Sequence, residues 1–460
     1  MSLPEPSTAR AIAAFVLTQA DPRKVEVTHI LSDYLNRTDQ PRRATDLVFG
    51  VMKNRSLIDG VIEKVSAVPV ARISPEILNV IRVAIYELIY CPLTPEHAIV
   101  SQAVENAKAV AGRKQAGFVN AVLRQTTRHI EAHEKSLGDA PASRVIPQNM
   151  LTGCQFDLDL LDDPQQSPIY YLAGAFSLPQ WLVEGWLKTY GPEKTRQICF
   201  ACNRRPSIYL LPNILKTTVE ELLEKLQGRG VQCKLVAEMD MIRLDSPGAI
   251  SSLPGFDEGL FTVQDISAAT VIKTLQPKFE WSILDLCAAP GTKTAQLAIA
   301  TGGRAKIVAT DIDGQRLKMV GQNISRLDIS GSVVAVEYAD LDEYIGRCGC
   351  FDCVLVDAPC SNTAVMARRP EVRYRLITRV VEALARTQLD LLLRAKELVK
   401  PGGIICYSTC SIQPDENNFV VRRFLADSDF EPGFEKLTLP SAEGFDHDGG
   451  YAAVVRRPGT

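Results

Sequence analysis

The sequence predicts a multi-domain protein with three folded parts. An all-α helical bundle comes first, a small α+β module follows, and an α/β domain on a mostly parallel, doubly wound sheet comes last. Three observations predict this order. Apolar residues recur at helical spacing from residue 8 to residue 129. Between residues 168 and 255 helical stretches alternate with short β-rich runs. From residue 282 onward, short buried-strand patterns alternate with longer helical ones, which is the rhythm of βα units. The resulting boundaries are 1–135 for the bundle, 136–167 for a linker, 168–255 for the module and 256–460 for the α/β domain.

Bulk composition narrows the function class. A chain of 460 residues, 46% hydrophobic and 23% charged, has the make-up of a globular protein with several cores. No apolar run is long enough for a membrane span, and the N-terminus MSLPEPSTAR lacks a signal-type apolar segment. A cytoplasmic protein with no membrane partner is therefore expected, and a monomer. The net charge of −3 does not advertise nucleic acid, although a modest average can hide a local basic face. Twelve cysteines in such a chain suggest thiols rather than a disulfide framework. Cys348, Cys350 and Cys353 form a tight group, but with no fourth cysteine and no histidine nearby, so no metal is expected.

Within the bundle, Ala44, Leu47, Val48 and Val51 share one helical face, and Leu57, Ile58, Val61 and Ile62 another. Residues 77–90 give the strongest helical signal, through Leu78, Ile81, Ile85, Leu88 and Ile89. Pro92 and Pro95 break the chain, and two further helices run over 100–110 and from Gly117. Residues 1–135 carry 17 Lys and Arg against 14 Asp and Glu, so any phosphate contact rests on a local cluster. Arg113, Lys114, Arg124 and Arg128 supply one near the last helix. Residues 136–167 are rich in Pro, Gln, Asp and Ser with little periodicity, and read as a linker. The module that follows has a helix over 178–191 with Trp181 and Trp186 packing. A strand is predicted at 206–211, a helix at 218–227, and a strand pair at 233–236 and 241–244.

The α/β domain is organised around WSILDLCAAPGTKT. Residues 282–287 read as a buried strand, 288–292 as a small-residue turn, and Lys293 opens a helix. A strand, a Gly-bearing turn and a helix N-terminus make the mouth of a nucleotide-type pocket. Residues 306–310 form a second strand ending in Asp311, about 20 positions beyond the turn, placed to accept ribose hydroxyls. A third strand at 333–336 precedes Asp340, and a fourth at 353–356 ends in Asp357 and Cys360. A fifth, at 403–407, leads to Cys410. Carboxylates and thiols at successive strand ends face one crevice. The turn lacks the G-x-G-x-x-G spacing of dinucleotide folds, which disfavours a dehydrogenase. A long helix over 377–399, a last helix over 414–426 and a final edge strand at 451–457 complete the domain.

LDLCAAPGTKT, ATDIDGQRL, VDAPCSNT and YSTCSIQPDENN resemble motifs I, II, IV and VI of the S-adenosylmethionine-dependent RNA cytosine-C5 methyltransferases. DLVFGVMKNRSLID, ILNVIRVAIYELIY, PEHAIVSQAVENAK and GFVNAVLRQTTR resemble the NusB-type RNA-binding domain. Together they make the chain similar to the bacterial RsmB (Sun/Fmu) family, which methylates a cytosine of small-subunit ribosomal RNA. The resemblance implies a Rossmann-like class I methyltransferase domain with S-adenosyl-L-methionine as cofactor and ribosomal RNA as partner. It implies that Cys287, Ala288, Ala289, Pro290, Gly291, Thr292 and Lys293 line the cofactor turn, with Asp311, Asp340 and Asp357 completing the site. The family usually has Arg in an L-R-x-N segment where this chain has Leu210-Leu211-Pro212-Asn213, and Gly at the positions of Asn362 and Ala364.

The residues themselves leave the order of the two cysteines open, because DNA C5 methyltransferases place the nucleophile in the Pro-Cys motif. The resemblance implies Cys410 as nucleophile and Cys360 as the group that aids resolution. Lys293 is placed to lower a cysteine pKa, and Asp357 to hold the cytosine edge or the cofactor's adenine region. Arg368, Arg369, Arg373 and Arg375 follow Cys360 as a basic loop, read as phosphate contacts beside the catalytic site. Two alternatives stand beside this reading. One is the same chemistry on transfer RNA or another ribosomal site; the other is a non-catalytic RNA-binding assembly factor.

Overall fold

A computed structural model describes residues 6–23, 27–245 and 248–459. The chain forms two compact units. One comprises Met1–Arg204 with the short excursion Met366–Arg375, and the other Arg205–Val365 with Leu376–Thr460.

The first unit packs around the helix Pro75–Tyr90, buried without a break from Ile77 to Ile89. A helix buried on all sides, mostly by apolar residues, belongs in the centre of a bundle, and its buried Asn79, Arg82 and Glu87 are each hydrogen-bonded there. The helices Ala9–Gln19, Pro41–Lys53, Arg55–Ser66 and Glu96–His129 pack against it. A Cβ at Gly50 would fall 2.1 Å from the Tyr86 ring, so glycine there permits close helix approach. The two helices expected over 100–129 run as one element with a break at Gly112, whose φ is 82°.

The segment 136–167 is not a structureless linker. Strands β1 (Ile130–Ser136), β2 (Val145–Pro147) and β3 (Thr152–Phe156) form an antiparallel sheet in the order β1-β3-β2. Ile146, Cys154 and Phe156 bury their side chains in the bundle core. The helices Pro168–Phe176 and Gln180–Asn203 also pack in this first unit, so the packing boundary lies at Arg204 rather than at the expected 167. Trp186 is buried there as expected.

The second unit holds two sheets. Strands β4 (Ile208–Pro212), β5 (Cys233–Val236), β6 (Met241–Leu244) and β7 (Phe261–Val263) pair antiparallel in the order β5-β6-β4-β7. The helix Val219–Gln227 in this segment starts at a reciprocal cap between Thr218 and Glu221. Asn213 is fully buried, its amide donating to the carbonyls of Gly259 and Leu327.

The large sheet uses β8 (Ser282–Asp285), β9 (Lys306–Ala309), β10 (Val333–Ala335), β11 (Phe351–Asp357), β12 (Val399–Thr409), β13 (Glu431–Thr438) and β14 (Gly450–Arg456). Its order is β10-β9-β8-β11-β12-β14-β13, with the first five strands parallel and β14 alone running antiparallel to its neighbours β12 and β13. Alternate residues face opposite sides. Ile283, Ile307, Cys353 and Ile404 meet the helices Ile266–Leu275, Thr292–Ala300 and Gly314–Leu327. Leu284, Val308, Val354 and Ile405 meet Leu341–Cys348, Thr378–Leu398 and Asn418–Ala426. The expected edge strand at the C-terminus, β14, is interior; the edge is β13, which the sequence reading lacked. Strand order reverses between β8 and β11, which opens a crevice at their C-terminal ends. Among the described residues, no helix is long and apolar enough to cross a membrane.

Candidate active site

The turn after β8 is built by glycine geometry and locked by its neighbours. Gly291 has φ 97°, and a Cβ there would lie 3.2 Å from the Val320 side chain. Only glycine takes that conformation at that approach without strain. Arg316 donates to the Ala289 carbonyl (2.9 Å) and Asn323 to the Pro290 carbonyl (2.9 Å), so the helix Gly314–Leu327 fixes the turn's path. Gly291 then caps the helix Thr292–Ala300.

Asp311 is buried at the end of β9. Its Oδ2 accepts the Ala289 N–H (3.1 Å) and its Oδ1 the Asp313 N–H (3.0 Å), so the carboxylate ties the second strand end to the first turn. Each oxygen keeps a second lone pair for a ligand hydroxyl. Asp340 lies exposed at the end of the 3-10 turn after β10. Cys287 sits in the turn itself, its thiol pushed up by burial and then by the charges of Asp285, Asp357 and Asp311. Its place there is that of a neutral packing group.

Lys293 and Asp357 form an ion pair at 2.7 Å. Burial lowers the lysine's pKa, but the charge and hydrogen bond of Asp357, with a further contribution from Cys410, outweigh it and leave it raised. The ammonium is therefore retained. The other oxygen of Asp357 accepts the Ser408 hydroxyl (2.7 Å). Asp285, beneath this pair, is 1% exposed. Its Oδ2 accepts the Thr294 hydroxyl (2.7 Å), while Oδ1 has no hydrogen-bond partner. Burial first, and Asp357 with it, raise this carboxyl to about 7.

The two cysteines meet. Cys360 Sγ lies 3.0 Å from Cys410 Sγ, and the Cys410 thiol donates to Asn362 Oδ1 at 3.0 Å. Asn362 has φ 60°, the left-handed conformation that asparagine tolerates, and its amide also donates to the Cys360 carbonyl (3.0 Å). Ala364 is not left-handed; its N–H donates to the Cys410 carbonyl (3.1 Å), so this position joins the two loops. The Cys360 thiol is raised well above its ordinary pKa, first by its hydrogen bond with Cys410, then by burial and by the charges of Cys410 and Glu416.

The basic loop is corrected by the structure. Residues 366–375 pack with the first unit. Arg373 is buried, and its guanidinium donates to the carbonyls of Lys53, Phe176 and Cys202 and to Asn203 Oδ1. A side chain so occupied is not a phosphate contact. Arg368 is half-buried, and Arg369 is exposed, 3.7 Å from Glu371. Arg113, Lys114 and Arg124 are exposed on the helix Glu96–His129. Among the described residues, no group of three or more His, Cys, Asp or Glu is arranged to hold a metal.

Sequence reasoning missed Asp285 and Glu416. Asp285 stands at a strand end like Asp311 and Asp357, and that shared position was the signal. Glu416 lies within the YSTCSIQPDENN motif and at a helix start, but nothing local marks it as the partner of the Cys360 loop.

Comparison with known proteins identifies the domains. A family model described as 16S rRNA methyltransferase RsmB/F matches residues 272–446, a NusB family model 7–128, and an RsmF/B-like ferredoxin-like domain 178–251. The chain is 32% identical to the ribosomal RNA small subunit methyltransferase B of Escherichia fergusonii, across 97% of this chain and 98% of that one. The crystal structure of PH0851 shares the fold with TM-score 0.71 at 23% identity, covering 99% of this chain and 100% of that one. A methyltransferase homolog from Pyrococcus horikoshii matches with TM-score 0.54 at 27% identity, over 63% of this chain and 99% of that one.

Proposed function

The chain belongs to the RsmB/F family of 16S rRNA methyltransferases, and from that membership we propose that it methylates C5 of a cytosine in small-subunit ribosomal RNA through a covalent Cys410 adduct. It is an S-adenosylmethionine-dependent RNA methyltransferase. When bound, that cofactor supplies the methyl group. The residues at hand suit it: Asp311 offers acceptors, and Asp285 Oδ1 and Thr310 Oγ1 are buried without partners. The reading takes the enzyme as a cytoplasmic monomer that needs no metal.

One observation carries the proposal: two thiols in mutual contact at the ends of β11 and β12, next to the Lys293–Asp357 pair. C5 of cytosine is a weak nucleophile. Addition of the Cys410 thiolate to C6 breaks the C5–C6 π bond and leaves electron density on C5, which then takes the methyl group. Loss of the C5 proton and cleavage of the C6–S bond restore the ring and free the thiolate. The Lys293 ammonium, held by Asp357, stands beside Cys410. Cys360, its ionisation suppressed first by its contact with Cys410 and then by burial, stays a thiol beside it. When Cys410 becomes a thioether its own share of that suppression is removed, and Cys360 is placed to assist loss of the C5 proton. The target base must be unpaired or flipped out to reach the two sulfurs. Arg113, Lys114, Arg124, Arg368 and Arg369 remain the candidates for phosphate contacts.

Bisulfite sequencing of small-subunit ribosomal RNA from a strain lacking the gene tests the substrate. The proposal expects one cytosine to lose its protection and to regain it when the gene is restored. Unchanged ribosomal RNA with a lost signal in transfer RNA would move the chemistry to another substrate.

A further inference from the structure

The loop carrying Cys360 and the loop carrying Cys410 share one buried anchor, the Glu416 side chain. It is fully buried. It accepts the Ser361 N–H (2.7 Å) and the Ser361 hydroxyl, the Ser411 hydroxyl (2.5 Å) and the Gln388 amide (3.2 Å). Ser361 directly follows Cys360, and Ser411 directly follows Cys410, so one carboxyl grips both loops one residue beyond each sulfur. The grip is cross-braced. Ser361 and Ser411 lie 3.1 Å apart, Thr363 is 3.1 Å from Ser411, and the Ile412 N–H donates to Thr363 (3.1 Å). Glu416 is itself pinned to β12, because its carbonyl accepts the Tyr407 hydroxyl (2.5 Å). Burial raises its pKa and the serine donors oppose that. A buried carboxyl is tolerated when its lone pairs are filled, and here they are filled by the two loops it joins.

We propose that Glu416 is a positioning residue that sets the register of the Cys360 and Cys410 loops, so that both sulfurs address adjacent atoms of one base. The proposal rests on the reading of these cysteines as the reacting pair. It asks for more than a stable loop. Addition at C6 and proton loss at C5 involve neighbouring ring atoms, and an error of an ångström between the sulfurs separates the two steps. Misplacement on that scale lowers rates by about 100-fold.

The test compares Glu416→Ala, Glu416→Gln and Ser361→Ala with the intact enzyme by two independent readouts. The first is the rate at which glutathione disulfide oxidises Cys360 and Cys410 to an internal disulfide, itself being reduced to two glutathiones. Peptide mapping follows that bond, and no catalysis is involved. The second is kcat and the KM for the cofactor, measured by varying S-adenosylmethionine at saturating ribosomal RNA. For Glu416→Ala we expect disulfide formation slowed roughly tenfold or more and kcat lowered about 100-fold, with KM for the cofactor within about twofold. Glu416→Gln keeps the shape and one acceptor oxygen and should recover most of both. Ser361→Ala keeps the N–H contact and should fall between them; with Glu416→Gln it decides the matter if the alanine variant does not fold. Unchanged disulfide rates in all variants that fold would overturn the proposal. Slowed disulfide formation with undiminished kcat would leave Glu416 as the keeper of register and would overturn the cysteine chemistry instead.

Discussion

Both units bury charge, and they do so in opposite ways. In the helical unit, Glu87 is fully buried and is closed off by Arg10 and Arg43. Arg82 holds Asp59 through two bonds of 2.7 Å and Asn79 through a third, and Arg373 donates to four acceptors within the same unit, its Nε alone being left without a partner. In the catalytic unit the charged groups gather at the C-terminal ends of β8, β9 and β11. There Asp285 keeps an oxygen without a partner, and the Lys293–Asp357 pair stands beside two thiols. Closed networks hold a fold together; open ones at strand ends are arranged for something that binds. Burial alone does not separate the two cases, whereas the state of the remaining lone pairs does.

The largest effect that would break this contrast lies in the helical unit. Arg373→Ala strands three backbone carbonyls and should lower the stability of the first unit by about 3 kcal/mol, whereas exposed Arg369→Ala should stay within about 0.5 kcal/mol. Denaturant unfolding measures both. A fully stable Arg373→Ala protein with weakened RNA affinity would return that residue to the phosphate contacts. Next comes the open network. Asp311→Ala should weaken S-adenosylmethionine binding by about 1.5–3 kcal/mol, roughly tenfold or more, without unfolding the domain. Calorimetric titration with unchanged affinity would remove Asp311 from the cofactor site.

A third effect is spread over a pH range. The Asp285 carboxyl is raised from its ordinary 3.8 to about 7, so the folded state binds that proton more tightly than the unfolded chain does. Stability from this group is complete below the lower value and falls as pH rises through the window between the two. The slope is at most about 1.4 kcal/mol per pH unit. Asp285→Asn should flatten the melting temperature across that window. A slope that persists in the variant would place the titrating group elsewhere.

How much of this was legible in the sequence follows from how local each signal is. Four of the five parallel strands are buried on both faces, and their apolar runs announced them; β10, at the other edge of the sheet, exposes Val334 and Ala335. β13, which reads EPGFEKLT, is exposed along almost its whole length, so it carries no alternation and β14 was mistaken for the edge. β1 reads IEAHEKS and gains its place by pairing with β3, a long-range fact that no local pattern records. Cys360, Cys410, Asp311 and Asp357 were readable because each ends a recognisable strand. The burial of Arg373 was not, because its acceptors come from residues 53, 176, 202 and 203. Asn362 illustrates the middle case. Its tolerance of a left-handed backbone follows from its chemistry, but its bond to the Cys410 thiol required the folded loops.

The central claim is that the two thiols divide addition and release between them. The most direct measurement is denaturing gel electrophoresis of Cys360→Ala and Cys410→Ala incubated with cofactor and substrate RNA. The account predicts an RNA–protein complex that survives denaturation for Cys360→Ala, because addition proceeds and release stalls, and none for Cys410→Ala. A surviving complex with Cys410→Ala and none with Cys360→Ala would reverse the two roles. Full methylation by both single variants would contradict covalent catalysis by this pair.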